Sequence, residues 1–188
     1  MPRAWKIAEV EEKMKTLYLE RSTGAVRDAA WVEGLDLEGV ERIVVGRGPG
    51  SFAGIRSAIA FAEGYALGKK GVKVYGLPSA CAIAAEVAAE RLLVVGDARQ
   101  GKVWLAEFEK GALKGEVTLA ETLPEGEFDA VVSPDDRRIG TALAAKYGAA
   151  YRGLMNPTEK GLEKYALGHP DALVAEPLPI YLNPAVRN

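Results

Sequence analysis

The sequence predicts an α/β fold, because strand-like and helix-like segments alternate through its first half. Residues 42–45 and 72–75 are apolar enough to be buried strands, and residues 52–69 between them repeat apolar side chains at helical spacing. After residue 100, alternating polar and apolar residues predict an antiparallel hairpin instead. This order of segments predicts mixed sheets flanked by helices.

The predicted elements before residue 42 are short. We expect a helix up to about residue 13, a strand at 15–19 and a second strand at 26–32. The helix at 52–69 is the clearest element of the chain, because Gly71 follows it as a stop signal and its apolar residues share one face. These apolar residues are Ile55, Ile59, Ala62 and Ala66.

The alternation continues beyond this helix. An alanine-rich helix from Ser79 to about residue 90 leads to a buried strand at 92–95, so we expect parallel strands with covering helices. The change of pattern near Gly96 divides the chain into two predicted subdomains, residues 1–98 and 99–188. The remaining predicted elements are a hairpin over 102–120, a strand at 128–132, helices at 138–147 and 158–167, and a proline-rich surface tail at 177–188.

Composition narrows the classes of function. At 188 residues, with 48% apolar and 27% charged residues, the chain can bury a substantial core and is typical of a soluble globular protein. A net charge of −2 argues against a chain that grips nucleic acid by itself. Cys81 is the one cysteine, so no internal disulfide can form, and we expect a cytoplasmic protein. The sequence has no apolar run near the roughly 20 residues of a membrane helix.

The most informative segment is RIVVGRGPGSFAGIR at residues 42–56. An apolar strand runs into the turn at 46–50, which holds three glycines and Pro49, and Ser51 then stands where a helix N-cap belongs. A strand, a turn and a helix N-terminus together present free backbone N–H groups at the positive end of a helix dipole. Such a loop can bind an anion or serve as a tight turn, and the tight turn is the favoured interpretation.

Three well-known motifs are excluded at this loop. A P-loop requires a lysine after its last glycine, where this chain has Ile55 and Arg56. A dinucleotide-binding fingerprint requires an acidic residue at the end of the next strand, which here ends in Tyr75 and Gly76. The GxSxG motif of hydrolases is also absent, because Ser51 is followed by Phe-Ala-Gly.

Other residue types that carry chemistry are few. Asp97 and Arg99 flank the end of a strand, where they can bind a phosphate or form the turn of a hairpin, and the turn is favoured. His169 is the one histidine, so the chain lacks the paired histidines of metallopeptidase zinc sites. Cys81 lies among alanines of a predicted helix, which favours a small core residue over a nucleophile. We therefore expect no catalytic residue and no metal ligand.

Residues 42–104 resemble the TsaB (YeaZ) family of bacteria. GPGSFAG at 48–54 matches the family's GPGSFTG, with Ala53 in place of the usual threonine, and LPS at 77–79 matches the start of its next helix. DARQGKVW, which begins at Asp97, is similar to the family's DAR-x-GEVY strand. The PLPIYL near the end of the chain resembles the family's PLYLR ending.

This resemblance implies the ASKHA architecture, which is actin-like and ribonuclease H-like, with mixed sheets flanked by helices in two subdomains. It implies a relative of the catalytic subunit TsaD without TsaD's metal-binding histidines. The implied role is a non-catalytic scaffold and dimerisation partner of a TsaD-type enzyme, joined by a TsaE-type ATPase. That assembly attaches threonylcarbamoyl to the adenosine beside the anticodon of tRNA. We expect a homodimer that meets tRNA only indirectly and does not contact the membrane.

The N-terminus departs from the family pattern. The family begins with a strand that ends in a DTST-like motif, where this chain has Glu20 and Arg21 before Ser22 and Thr23. Only 18 residues separate Thr23 from Arg42, too few for the two strands and the helix that the family has there. The resemblance therefore implies a truncated first subdomain, an incomplete nucleotide site and an altered partner interface.

The predicted sites follow from the resemblance. Arg56 and Glu63 are seven positions apart and should project from nearly the same side of their helix, towards a partner. We expect no intrinsic cofactor and at most weak binding of ATP or ADP with magnesium. The alternatives are a nucleotide- or acyl-phosphate-binding ASKHA enzyme and a divergent TsaB paralogue with another role. The residues predicted to bind a partner or to shape the loop are Gly48, Pro49, Gly50, Ser51, Phe52, Gly54, Arg56 and Glu63, and the candidate contacts of a nucleotide or anion are Gly50, Ser51, Asp97 and Arg99.

Overall fold

A computed structural model describes residues 14–23 and 30–182 of the protein. Two mixed sheets flanked by helices confirm the predicted α/β class. The helix predicted up to residue 13 and most of the strand predicted at 26–32 lie outside the described residues. Ala30–Val32, at the end of that predicted strand, form a 3-10 turn, so the prediction is wrong there.

The first sheet has four strands in the order β1-β2-β3-β10. These are β1 at Thr16–Leu19, β2 at Arg42–Gly46, β3 at Lys73–Leu77 and β10 at Val174–Ala175. The first three strands are parallel, and β10 pairs antiparallel with β3. Helix α1, Phe52–Gly68, connects β2 to β3, and its buried Ile55, Ile59 and Ala62 pack in one cluster with Ile43 and Val45 of β2.

The second sheet has the order β6-β5-β4-β8-β9, and β7 also pairs with β5. Strand β5 is antiparallel to β4, β6 and β7, which confirms the predicted hairpin. The strands are β4 at Arg91–Arg99, β5 at Lys102–Glu109, β6 at Ala112–Leu113, β7 at Thr118–Ala120, β8 at Ala130–Ser133 and β9 at Tyr151–Leu154. The other helices are α2 at Ser79–Ala84, α3 at Asp136–Tyr147 and α4 at Glu159–Gly168.

Strand β4 corrects two predictions. It lies in the second sheet and not beside β3, and α2 ends well before residue 90. The four apolar residues of β4, 92–95, are buried on both faces, so their pattern alone does not decide which sheet the strand joins. The tight turn at Arg99, Gln100 and Gly101, all with positive φ, folds β5 directly back onto β4, and β8 pairs with the other edge of β4. The subdomain boundary at residue 98 stays a prediction.

The connection between β1 and β2 is short. The structure describes residues 30–41 of this connection, and they contain one 3-10 turn. Strand β1 pairs directly with β2. The truncation of the first subdomain stays a prediction. Within the described residues, every helix is too short or too polar to cross a bilayer.

The N-terminus of α1 lies directly against the chain that leaves β1. The N–H of Ser51 donates to the carbonyl of Ser22 at 2.6 Å. A Cβ at Gly54 would overlap the carbonyl oxygen of Arg21. Likewise, a Cβ at Gly50 would overlap the carbonyl oxygen of Ser22, and Gly50 has a positive φ of 155°. The glycines of the loop therefore allow two backbone segments to meet without side chains between them.

Glu20, the residue after β1, is a buried carboxyl, with 8% of its surface exposed. Its Oε1 accepts a hydrogen bond from the N–H of Ser22 at 2.7 Å, and its side chain lies against Gly46 and Ser79. Burial raises the pKa of Glu20, and the smaller effects of the hydrogen bonds with Ser22 and Ser79 lower it. Folding therefore favours the protonated form of this carboxyl.

Replacing Gly54 with alanine should destabilise the protein by about 1–3 kcal/mol, because the new methyl group meets a backbone carbonyl that cannot rotate away. Gly64→Ala in the same helix is the matched control. Nothing lies within 4 Å of a Cβ at Gly64, so this change should stabilise by about 0.5–1 kcal/mol. Urea unfolding measures both variants, and a Gly54→Ala protein as stable as Gly64→Ala would contradict the close contact.

Glu20 should make the protein less stable as the pH rises. The stability from this group is fully present below the ordinary carboxyl pKa of about 4.3 and is lost as the pH rises through the higher folded pKa. Glu20→Gln keeps the shape and cannot ionise, so the free energy of unfolding should depend less on pH over this window. Urea unfolding across the window measures the slope, with the exposed Glu33→Gln as control. Equal slopes for wild type and Glu20→Gln would refute the assignment.

Candidate functional site

The glycine loop is held by hydrogen bonds on both sides. The N–H of Gly48 donates to Oγ of Ser79 at 3.0 Å, and the N–H of Ser79 returns a bond to the carbonyl of Gly48 at 2.9 Å. Ser51 caps α1, since its Oγ accepts from the N–H of Gly54 at 3.3 Å. The expected N-cap is therefore present, and the hydroxyl of Ser51 is engaged in it. The loop joins the end of β2 to the starts of α1 and α2.

A cleft of about 720 Å³ lies beside this loop. All four residues predicted as nucleotide or anion contacts line it: Gly50, Ser51, Asp97 and Arg99. Its other walls come from residues 22–23, 134–135 and 180–182. The volume is within the range of small-molecule sites, about 300–1,000 Å³. The structure thus brings together segments that are far apart in the sequence.

Two of these walls were missed by sequence reasoning. Pro134 and Asp135 lie between β8 and α3, and a strand followed by a proline and a helix start was a local signal for them. Ile180, Tyr181 and Leu182 belong to the tail that the sequence predicts on the surface. They do not form a strand or helix, yet Ile180 and Leu182 pack against the main core cluster. The prediction of a surface tail is therefore wrong for these two residues.

Asp97 is bound by the protein's own groups. Its Oδ1 accepts the N–H of Arg99 at 2.8 Å, which forms the hairpin turn, and its Oδ2 accepts from the guanidinium of Arg138 at 3.2 Å. The Asp97 side chain is 8% exposed, whereas that of Arg138 is 57% exposed. Arg138 lies in the first turn of α3, where the helix dipole disfavours a cation. The carboxylate of Asp97 is therefore already paired with a cation, and the charges of Asp97 and Arg138 offset each other.

Ser22 is the polar group in the cleft that has no assigned structural role. The residue is 2% exposed, and its Oγ has no hydrogen-bond partner within the described part of the chain. This hydroxyl lies close to the carboxyl of Glu20 and lowers the pKa of that buried group. It lines the cleft beside the first turn of α1, whose leading N–H groups have no helical partner.

A second cavity of about 840 Å³ lies on the other side of the tail. Cys81 and Tyr165 line it, and the ring of His169 stacks on Tyr165 with 4.3 Å between centroids. Burial raises the pKa of the Cys81 thiol to about 12, so the thiolate that a nucleophile requires is scarce. Cys81 is a buried helix residue, as the sequence predicts.

The outer face of α1 is exposed. Phe52 and Leu67 are 57% and 90% exposed, and Arg56 and Glu63 are exposed on the same helix. The guanidinium of Arg56 lies over the ring of Phe52 at 4.9 Å. The structure thus leaves available the side chains that the sequence predicts as partner contacts, and their role stays a prediction.

Comparison with family models gives one match over residues 11–132, to TsaD, the tRNA N6-adenosine threonylcarbamoyltransferase family. This match covers well over half of the chain. Residues 42–104, which carry the resemblance noted in the sequence, lie within it.

Two curated relatives have similar identity. The tRNA threonylcarbamoyladenosine biosynthesis protein TsaB of Escherichia coli K12 is 35% identical over 115 residues, which cover 57% of this chain and 49% of that protein. An uncharacterised protein of Mycobacterium leprae is 35% identical over 155 residues, which cover 77% of this chain and 39% of that protein. The chain therefore spans about half the length, or less, of the curated relatives it matches.

Solved structures show the same fold. YeaZ from Pseudomonas aeruginosa superposes with a TM-score of 0.62 at 24% identity, covering 84% of this chain and 81% of that one. A second structure from Pseudomonas aeruginosa, of an uncharacterised protein similar to peptidase YeaZ, gives a TM-score of 0.61 at the same identity and coverage. The chain therefore belongs to the family that the TsaD model describes, and its relatives there are the TsaB (YeaZ) proteins.

Proposed function

We propose that this chain is a non-catalytic scaffold subunit of the machinery that forms threonylcarbamoyladenosine in tRNA, and that it docks a TsaD-type enzyme through α1. The name of the Escherichia coli relative supports the pathway. The exposed face of α1 is the observation that supports docking through this helix. A TsaE-type ATPase would join the same complex. The chain would contact tRNA only indirectly, through that complex, and the complex would act in the cytoplasm.

The exposed face of α1 has the composition of a docking surface. One side of the helix is buried in the core, while the other presents two large apolar side chains, Phe52 and Leu67, almost a full helix apart. Between them the exposed residues include the small Ala60 and Gly64 and the two charged ones. Large exposed apolar side chains at the ends of a face with small residues at its centre favour close approach of a second helix.

This face is also self-complementary. Arg56 and Glu63 lie equally far on either side of the point between residues 59 and 60, and so do Phe52 and Leu67. When two such helices cross antiparallel about a two-fold axis at that point, each arginine meets a glutamate and each phenylalanine meets a leucine. Such pairing supports a homodimer of the free chain. We propose that the corresponding helix of a TsaD-type enzyme takes the same place.

The candidate side chains for chemistry support a scaffold. Ser51 caps a helix, Asp97 is bound by Arg138, and the Cys81 thiol is buried with its pKa raised to about 12. Each is engaged in holding the fold, and none is free to act as a nucleophile or base. The work of the protein then depends on its surface.

A charge swap on α1 should separate self-pairing from partner binding. Arg56→Glu should weaken the homodimer by about tenfold or more, because two like-charge pairs replace two opposite ones. Glu63→Arg should do the same. The double variant Arg56→Glu/Glu63→Arg restores both pairs and should dimerise again, yet it should still fail to co-purify with an unchanged TsaD-type partner. Analytical ultracentrifugation and affinity co-purification measure the two effects.

The matched control is Arg137→Ala, an exposed arginine on α3. It should leave dimerisation and co-purification unchanged. If Arg56→Glu keeps wild-type co-purification while circular dichroism shows an intact fold, α1 is not the docking helix.

A second candidate function is favoured by Ser22. Ser22, whose buried hydroxyl has no hydrogen-bond partner within the described residues, lines one cleft together with Arg99 and the residues that begin α1. These groups fit an anion such as the phosphate of ATP or ADP with magnesium, or an acyl phosphate.

Calorimetric titration with ATP and magnesium tests this candidate. We expect weak binding in the wild type, and in Ser22→Ala a loss of about 1.5–3 kcal/mol, as for a hydrogen bond to a charged group. Thr23→Ala, beside it in the same cleft, is the control for a general disturbance. An absence of heat in the wild type removes the nucleotide-binding function and leaves the scaffold untouched.

A further inference from the structure

The C-terminal segment 177–182 is a wall shared by two cavities. Ile180, Tyr181 and Leu182 line the 720 Å³ cleft on one side and the 840 Å³ cavity on the other. The segment therefore lies between the two cavities and contributes to the lining of both.

Arg47 binds this segment through two hydrogen bonds. Nε of Arg47 donates to the carbonyl of Leu178 at 2.7 Å, and the carbonyl of Arg47 accepts from the N–H of Ile180 at 2.9 Å. Within the described residues, these are the hydrogen bonds that the segment makes to the body of the protein. The buried Pro177 and the stem of Arg47 both lie against Gly76 of β3. Arg47 follows β2 directly, so the clamp is built on a rigid strand end.

The two ends of the segment differ. Upstream, β10 is paired with β3, and Glu176 then follows with a φ of 55°, a left-handed conformation that is uncommon outside glycine. Downstream, Tyr181 is 60% exposed and contacts the ring of Phe52 with 5.9 Å between centroids. The segment is thus fixed before Glu176 and clamped at Arg47, and at Tyr181 it presents a largely exposed ring.

We propose that residues 177–182 form a detachable strap that turns at Glu176 when the Arg47 clamp opens, and that its release joins the two cavities into one. The strap thereby controls access to the cleft. This inference goes beyond the scaffold function and does not require that any ligand occupies the cleft. Its test can therefore fail while the docking of α1 stands, and the reverse is also true.

Cys81 is a built-in reporter of strap opening. It is the one cysteine of the chain, lines the second cavity and is 1% exposed. Ile180 and Leu182 of the strap pack against the core cluster that contains Cys81. A thiol reagent should reach the sulfur when these two side chains move away. The rate of Cys81 modification by N-ethylmaleimide then measures how often the strap is open.

Arg47→Ala should raise the rate of Cys81 modification about tenfold, which corresponds to about 1.4 kcal/mol in the opening equilibrium. Arg137→Ala is the matched control and should react like the wild type. The increase should persist in dilute urea with little change, because strap opening exposes far less surface than global unfolding. Mass spectrometry of the intact protein follows the reaction.

An unchanged rate in Arg47→Ala overturns the strap, and so does an increase that follows global unfolding in urea. If Arg47→Ala does not fold, Tyr181→Ala replaces it, since that side chain is largely exposed and lies outside the core. Loss of its contact with Phe52 should raise the Cys81 rate by a few fold. A wild-type rate in a folded Tyr181→Ala protein then counts against the strap.

Discussion

The backbone contact between the end of β1 and the start of α1 is the constraint on which the rest of the structure depends. The N–H of Ser51 bonds the carbonyl of Ser22, and Gly54 lies on the carbonyl of Arg21 with no room for a side chain. Because the two segments touch through backbone alone, the direction of α1 is set within narrow limits. The loop acts first as a joint between elements, and any binding is an additional property of that joint.

Both proposed functions arise from this joint. Seating α1 on β2 buries Ile55 and Ile59 and necessarily turns the opposite face, with Phe52 and Leu67, towards solvent. The same contact places Ser22 in the lining of the cleft, beside the first turn of α1. The helix face and the cleft floor are thus two consequences of one packing arrangement. A change at Gly54 would disturb both at once.

Sequence patterns within a few neighbouring residues predict the local elements of the fold, whereas pairings between distant segments cannot be predicted from them. The N-cap at Ser51, the helix after it and the hairpin after residue 100 each depend on a few neighbouring residues, and all three are present. The sheet that β4 joins is defined by its pairing with β5 and with the distant β8, and its apolar run carries no information about those partners. The prolines of the tail predict a surface segment, but they do not indicate that Arg47 forms hydrogen bonds with Leu178 and Ile180.

The contact between Phe52 and Tyr181 connects the exposed face of α1 with the strap. Phe52 belongs to the exposed face of α1, and Tyr181 belongs to the strap, so each ring covers part of the other. A partner helix that packs on Phe52 competes for the surface on which Tyr181 lies. By thermodynamic linkage, whatever coupling this produces is reciprocal, so that a strap held open alters docking on α1 by the same factor. Because Phe52 also lines the cleft, a partner that docks on α1 as proposed would be coupled to the strap through this one ring.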